Sequence, residues 1–220
     1  MKTLMEQILI FLLLSFVLIS CNQNQTVDFD KEKGNFSFEN DITYYKGSSF
    51  SGTVVEHYEN RQVKVKKSYS EGKLDGDWVE FYENGQLEEK GLYKKGKKDG
   101  LWVVYYESGQ LGQKDSYKEG EKDGVFEIYY ENGQLCSKGS YKEGKNDGVW
   151  EWYYENGQFK SKETWKDGKE DGDWVKYHEN GQLMEKCSFK EGKLDGDWVK
   201  YHENGQLKSK ETWKDGVKIF

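Results

Sequence analysis

A phrase of fixed length recurs down this chain and leaves few ways to fold it. Residues 76–99 read GDWVEFYENGQLEEKGLYKKGKKD, and the same 24-residue phrase returns at Gly100, Gly124, Gly148, Gly172 and Gly196. The turn glycines Gly85, Gly109, Gly133, Gly157, Gly181 and Gly205 keep the same step, so no insertion separates these copies. A weaker copy starts at Gly52, where Arg61 replaces the turn glycine, giving seven repeats over residues 52–220. A period of this size marks an architecture in which each unit buries its apolar face only by stacking on its neighbours.

Within the unit, Trp78-Val79-Glu80-Phe81-Tyr82-Glu83 runs into Asn84-Gly85 and then Gln86-Leu87-Glu88-Glu89-Lys90. Asn-Gly between two such runs is the strongest short hairpin signal, because a type I′ turn needs positive φ at both central residues. A two-residue turn there would set Tyr82 opposite Leu87 and Trp78 opposite Gly91. One face would then carry Trp78, Tyr82, Leu87 and Tyr93, and the other Val79, Phe81, Glu83, Gln86 and Lys90. Down the copies, Trp78, Trp102, Phe126, Trp150, Trp174 and Trp198 form one column. Leu87 to Leu207 form a second, and Tyr69, Tyr93, Tyr117, Tyr141, Trp165, Phe189 and Trp213 a third. The link between hairpins, such as residues 94–100, carries two glycines that permit tight turning. The expected fold is all-β and solenoid-like, an elongated, twisted antiparallel sheet of stacked β-hairpins. Seven hairpins of paired strands would extend it over about 65 to 70 Å.

Composition agrees with a thin sheet rather than a thick core. Only 35% of the 220 residues are hydrophobic and 33% are charged, yet 16% are aromatic and sit at one phase of the repeat, which separates the chain from a disordered one. Proline is absent, which suits unbroken strand pairing. The net charge of -7 disfavours binding to nucleic acid or to anionic lipid, which depends on Lys and Arg neutralising phosphates.

The amino terminus reads as an address. Lys2 precedes an apolar run from Ile8 to Ile19, too short for a spanning helix, so residues 1–20 are expected to be an export signal. Leu18-Ile19-Ser20-Cys21 resembles the lipobox of bacterial lipoproteins, which implies that Cys21 is lipidated and anchors the chain. Asn22 follows, so the aspartate that favours inner-membrane retention is missing, and the expected location is the outer membrane or cell surface. Residues 21–34 read as a flexible tether. Residues 35–51 read as an amino-terminal capping hairpin, with Phe36 and Phe38 before the turn-like Glu39-Asn40-Asp41 and Ile42 and Tyr44 after it.

The pattern best seen in residues 141–159, YKEGKNDGVWEWYYENGQF, resembles the bacterial variant of the MORN repeat from Gly52 to the end. The resemblance implies hairpins assembled into extended sheets for protein or membrane contact, and many bacterial members carry an antitoxin label. Arg61, His178 and His202 depart from the pattern, and Val217-Lys218-Ile219-Phe220 reads as a closing cap.

No phosphate loop, nucleophile elbow, zinc spacing or HExxH helix is present, and every carboxylate pair recurs with the repeat. A catalytic site needs a unique constellation, so no enzyme activity, cofactor or metal is expected. Cys136 and Cys187 lie two copies apart on opposite faces, about 19 Å of sheet, and are expected to be free thiols. His178 and His202 are expected to be column members rather than zinc ligands. The leading expectation is a membrane-anchored, non-enzymatic scaffold at the bacterial envelope that holds a protein partner. Its candidate binding face is Trp78, Trp102, Trp150, Trp174, Trp198, Trp165 and Trp213. Glycan or choline-type ligand binding through the same aromatics is an alternative, since such rings attract quaternary ammonium groups. Neutralisation of a toxin, as an antitoxin or immunity-type protein, is another.

Overall fold

The computed structural model describes residues 25–220; the expected export signal and Cys21 lie outside them. The chain forms two compact units, one ending at Lys97 and one spanning Lys98–Phe220, and both are built almost entirely of antiparallel hairpins. Among the described residues no helix is long and apolar enough to cross a membrane.

The first unit opens with strand β1 (Thr26–Asp28), which runs parallel to β5 (Gly52–His57) with Val27 opposite Val54. The Asp28 carboxylate then caps the short helix α1 (Phe29–Glu32) by accepting the Lys31 N–H at 3.3 Å. Strands β2 (Phe36–Glu39), β3 (Ile42–Tyr45) and β4 (Ser48–Ser49) form a separate antiparallel sheet. It docks through backbone bonds from Gly72 N–H to Phe50 O at 2.7 Å and from Thr43 N–H to Gly72 O at 2.8 Å. Val27, Phe50 and Val54 are buried where these pieces meet, and the rings of Phe29, Phe36, Tyr45 and Tyr69 close around them. This corrects the flexible tether expected for residues 21–34 only from residue 25 onward, since residues 21–24 lie outside the described ones. Its average polarity concealed Val27 and Phe29, two apolar side chains spaced to plug this cluster, and the entropy of ordering the segment is offset by their burial.

The repeats continue through β6 (Val63–Ser70), β7 (Lys73–Phe81) and β8 (Leu87–Lys94). Trp78 faces Gly91 as the spacing predicts, but Phe81, not Tyr82, faces Leu87, because the register shifts between Glu80 and Phe81. The cause is the turn. Gly85 N–H donates to Tyr82 O and Tyr82 N–H donates to Gln86 O, both at 2.8 Å, closing a three-residue loop. Gly85 has a φ of 86° while Asn84 stays at negative φ. Asn84 has another task, since its Oδ1 accepts the Gln86 N–H at 2.8 Å. The two-residue turn with positive φ at both positions sits at the other end of the unit, at Lys95-Gly96 with φ of 50° and 83°. The leucine column therefore lies on the face of Val79 and Phe81, away from the tryptophans.

The second unit repeats this hairpin through β9 (Lys97–Tyr105), β10 (Leu111–Lys118), β11 (Glu121–Tyr129) and β12 (Leu135–Lys142). Three more copies follow, pairing Gly148–Tyr153 with Phe159–Lys166, Gly172–Tyr177 with Leu183–Lys190 and Gly196–Tyr201 with Leu207–Lys214. The recurring polar residues of the phrase are its joints. Tyr106, Tyr130 and Tyr154 each donate a phenol O–H to the carbonyl of Tyr129, Tyr153 and Tyr177, at 2.6, 2.9 and 2.8 Å. Asn132 and Asn180 donate their amides to Glu155 O and Glu203 O, each at 2.9 Å. Asp123 accepts the Glu143 N–H at 3.3 Å across the other end. Each joint satisfies backbone groups that a thin sheet would otherwise leave to water.

Candidate functional site

On one face the Trp column lies against the Tyr column. In the first unit, Trp78 and Tyr93 have ring centres 5.6 Å apart, with the Lys67 ammonium 5.3 Å from the Trp78 ring. In the second, Trp150 lies 5.1 Å from both Phe126 and Tyr141 and stacks 6.1 Å from Trp152. A Cβ at Gly139 would sit 2.3 Å from the Trp150 ring, so that glycine is the floor on which the indole rests. Trp102 and Trp150 are only 2% and 5% exposed. Neither can be the exposed anchor that its column position predicts. A single-layer sheet has no opposing layer, so its largest rings fold down onto adjacent strands and are covered by neighbouring rings and lysine stems. Trp78, Trp174, Trp198, Trp165 and Trp213 are half-buried and keep an accessible edge.

Lysines complete this face. Lys98 places its ammonium 3.6 Å from the centre of the Trp102 ring and 5.4 Å from that of Tyr117. Lys122 lies 4.9 Å from Phe126 and 5.1 Å from Tyr141, and its Nζ meets the buried Asp115 carboxylate at 2.8 Å. Burial acts to lower the Lys122 pKa, but the Asp115 hydrogen bond and charge outweigh it and hold the ammonium above its ordinary value. Glu163 and Glu170 occupy the positions equivalent to Asp115 and Lys122 two copies later. Burial, and then the charge of Glu163, push Glu170 above the usual carboxylate range.

The opposite face carries a charge ladder that interrupts the valine column. Val79, Val103, Val175 and Val199 give way to Glu127 and Glu151 in the two central copies. Lys114 reaches Glu127 and Lys138 reaches Glu151, each at 2.8 Å, while Tyr129 and Tyr153 donate to the same carboxylates at 2.6 and 2.7 Å. Hydrogen bonds from Lys114 and from Lys138, the largest influences, hold Glu127 and Glu151 below the ordinary glutamate range.

Cys136 and Cys187 are both free. Cys187 is buried beside Trp174, and burial, followed by the charges of Glu185, Glu170 and Glu163, pushes its thiol up to about 12, which suppresses the reactive thiolate. Tyr130 is raised to about 12, first by its hydrogen bond with Cys136 and then by burial. His178 takes the place of the joint tyrosine, with Nε2 3.5 Å from Tyr201 O.

One cluster of potential metal ligands escapes the repeat pattern. Asp28, Asp30 and His57 bring ligand atoms within 4.8 Å of one another. His57 Nδ1 lies 3.2 Å from Asp30 Oδ2 and 3.7 Å from Asp28 Oδ1. Both carboxylates already have protein donors, Lys31 Nζ on Asp28 at 2.7 Å and the His57 backbone N–H on Asp30 at 2.7 Å. Their sequence separation hid this group. The Glu127, Glu151 and Glu170 substitutions were visible as breaks in columns, but their partners depend on register.

The sequence pattern described as MORN repeat variant matches residues 74–95, 98–119, 122–143, 146–167, 170–191 and 194–215. These six stretches cover more than half of the chain. No curated protein matches it.

Proposed function

We propose, on the premise that this chain belongs to the MORN repeat variant family, that it is a non-catalytic repeat scaffold which holds a protein partner at a bacterial cell envelope, anchored through Cys21. The observation that carries this reading is the division of labour inside each copy. The recurring Tyr, Asn and Asp residues join neighbouring copies, while the residues that vary between copies, such as Lys122, Glu127 and Glu170, lie on the two faces. A frame of fixed joints with variable faces suits binding, because recognition can change without disturbing the frame. Chemical crosslinking of the full chain on intact cells should recover one specific envelope protein. Repeated recovery of none would overturn the scaffold. Cys21→Ala should move the chain from the membrane to the soluble fraction, and continued membrane association would overturn the anchor.

Capture of a choline-type cation by the aromatic face is a second reading. It is favoured by the 3.6 Å approach of the Lys98 ammonium to Trp102, a cation–π contact made by the chain itself. Retention on a choline matrix that is lost in Trp174→Ala would support it, and flow-through of the unaltered chain would exclude it.

A further inference from the structure

Three copies place an acid seven residues before a residue on the strand across the Lys/Glu/Asp-Gly turn, one that faces the aromatic two positions after the acid: Asp115 with Lys122, Glu163 with Glu170, and Glu211 with Lys218. In two of them the partner is a lysine and an ion pair closes, at 2.8 Å for Lys122 with Asp115 and 2.9 Å for Lys218 with Glu211. In the middle copy a second carboxylate takes the place of the ammonium. Trp165 Nε1 donates to Glu163 Oε2 at 3.2 Å, leaving the other Glu163 oxygen to find a partner elsewhere. Glu170 is half-buried and faces Trp165 across the turn, and among the described residues its carboxylate closes no ion pair, where Lys122 and Lys218 each close one.

The aromatic surroundings of an ammonium persist in this copy. Lys122 lies over Phe126, four residues on, and Tyr141 on the next strand. The residues in those two places relative to Glu170 are Trp174 and Phe189. Trp174 is a stronger cation–π partner than the phenylalanine it replaces. Two half-buried carboxylates beside an aromatic wall repel each other unless a cation or a proton lies between them. The chain provides that cation itself two copies earlier and two copies later, at Lys122 and Lys218, and here it does not.

We propose that the Glu163–Glu170 pair and the Trp174 ring form a receptor for a lysine side chain presented by a protein partner. The incoming ammonium takes the position that Lys122 and Lys218 take in their own copies, and it lies beside the Trp174 ring as the Lys122 ammonium lies beside Phe126. Lysine, rather than another cation, is the occupant because the chain's own examples of this position are lysines. This rests on the protein-binding reading above and gives that partner a chemical feature, a basic side chain that reaches the aromatic face.

The test uses the full chain labelled with 5-fluorotryptophan and, as probe, the capped tripeptide acetyl-Gly-Lys-Gly-amide, followed by fluorine NMR. A saturable shift of the Trp174 and Trp165 signals at millimolar probe is expected, about a thousandfold weaker than a micromolar site and so suited to NMR titration. The same tripeptide with norleucine in place of lysine should give none. Glu170→Lys supplies an internal ammonium, as at Lys122, and should abolish the shift. Glu170→Gln, which keeps the shape and loses the charge, should weaken it about tenfold and carries the test should Glu170→Lys fail to fold. An equal shift with the norleucine peptide, an undiminished shift in both Glu170 variants, or no saturable shift up to about 50 mM lysine peptide would overturn the proposal. A partner crosslinked equally by the unaltered chain and by Glu170→Lys would remove the receptor and leave the scaffold standing. A lysine-specific shift with no partner recovered would do the reverse.

Discussion

The amino-terminal unit and the second unit hold themselves together differently. In the first, Val27, Phe50 and Val54 are enclosed by side chains arriving from β1, α1 and the small β2–β4 sheet, so the rings meet from several directions. In the second, burial is achieved within one layer, with Trp102 and Trp150 laid flat under lysine stems and adjacent rings. The first behaves as a small globular core. In the second, each copy leans on its neighbours, and stability is close to a sum of local and nearest-neighbour contributions.

This difference can be broken most forcefully at the two centres. Phe50→Ala and Trp102→Ala should each cost about 3 to 5 kcal/mol in denaturant unfolding. Hydrogen exchange should show Phe50→Ala loosening the first unit as a whole, whereas Trp102→Ala should expose its own copy and the next most. Uniform loss of protection across the second unit would contradict the nearest-neighbour picture. A smaller effect belongs to Gly139→Ala, whose Cβ would press on the Trp150 ring and should cost about 1 to 3 kcal/mol. An unchanged melting midpoint would mean that the ring is not seated on that glycine.

Tyr130→Phe removes one joint, the 2.9 Å bond to Tyr153 O, and should cost about 0.5 to 1.5 kcal/mol. The mildest effect is electrostatic and opposite in sign at two positions. Glu127 titrates below its unfolded value, so its contribution is present above that value, about pH 4.3, and is lost as pH falls. Glu170 titrates above its unfolded value, so its ionisation opposes folding as pH rises past that value. Glu127→Gln should therefore lower the unfolding midpoint at pH 7, with an effect on the order of 1 kcal/mol or less, and leave it unchanged at pH 3. Glu170→Gln should raise the midpoint at pH 7 and do nothing at pH 3. Equal responses at both pH values would refute these charge environments.

Particular residues show how far the primary structure could be read. The Trp78–Gly91 pairing and the shared face of Trp78 and Tyr93 follow from counting along the repeat, and the structure places them so. The count failed at Leu87, because it assumed an unbroken ladder through the Asn-Gly turn. It failed again at Trp102 and Trp150, where column position revealed the face but not that the rings lie down on it. Segment averages misjudged Val27 and Phe29, whose worth depends on Phe50, more than twenty residues away.

The amino-acid sequence by itself determined the repeat, the strand segments and the columns, since these are local patterns of spacing, backbone preference and side-chain alternation. Only the tertiary structure decided which end of each unit takes the two-residue turn, which face the leucines share, and what opposes Glu170. Those outcomes turn on competition for the same backbone groups. An asparagine side chain that bonds to its own loop holds its backbone at negative φ, and the shift of one residue at the bulge moves Leu87 to the other face while Trp78 stays opposite Gly91.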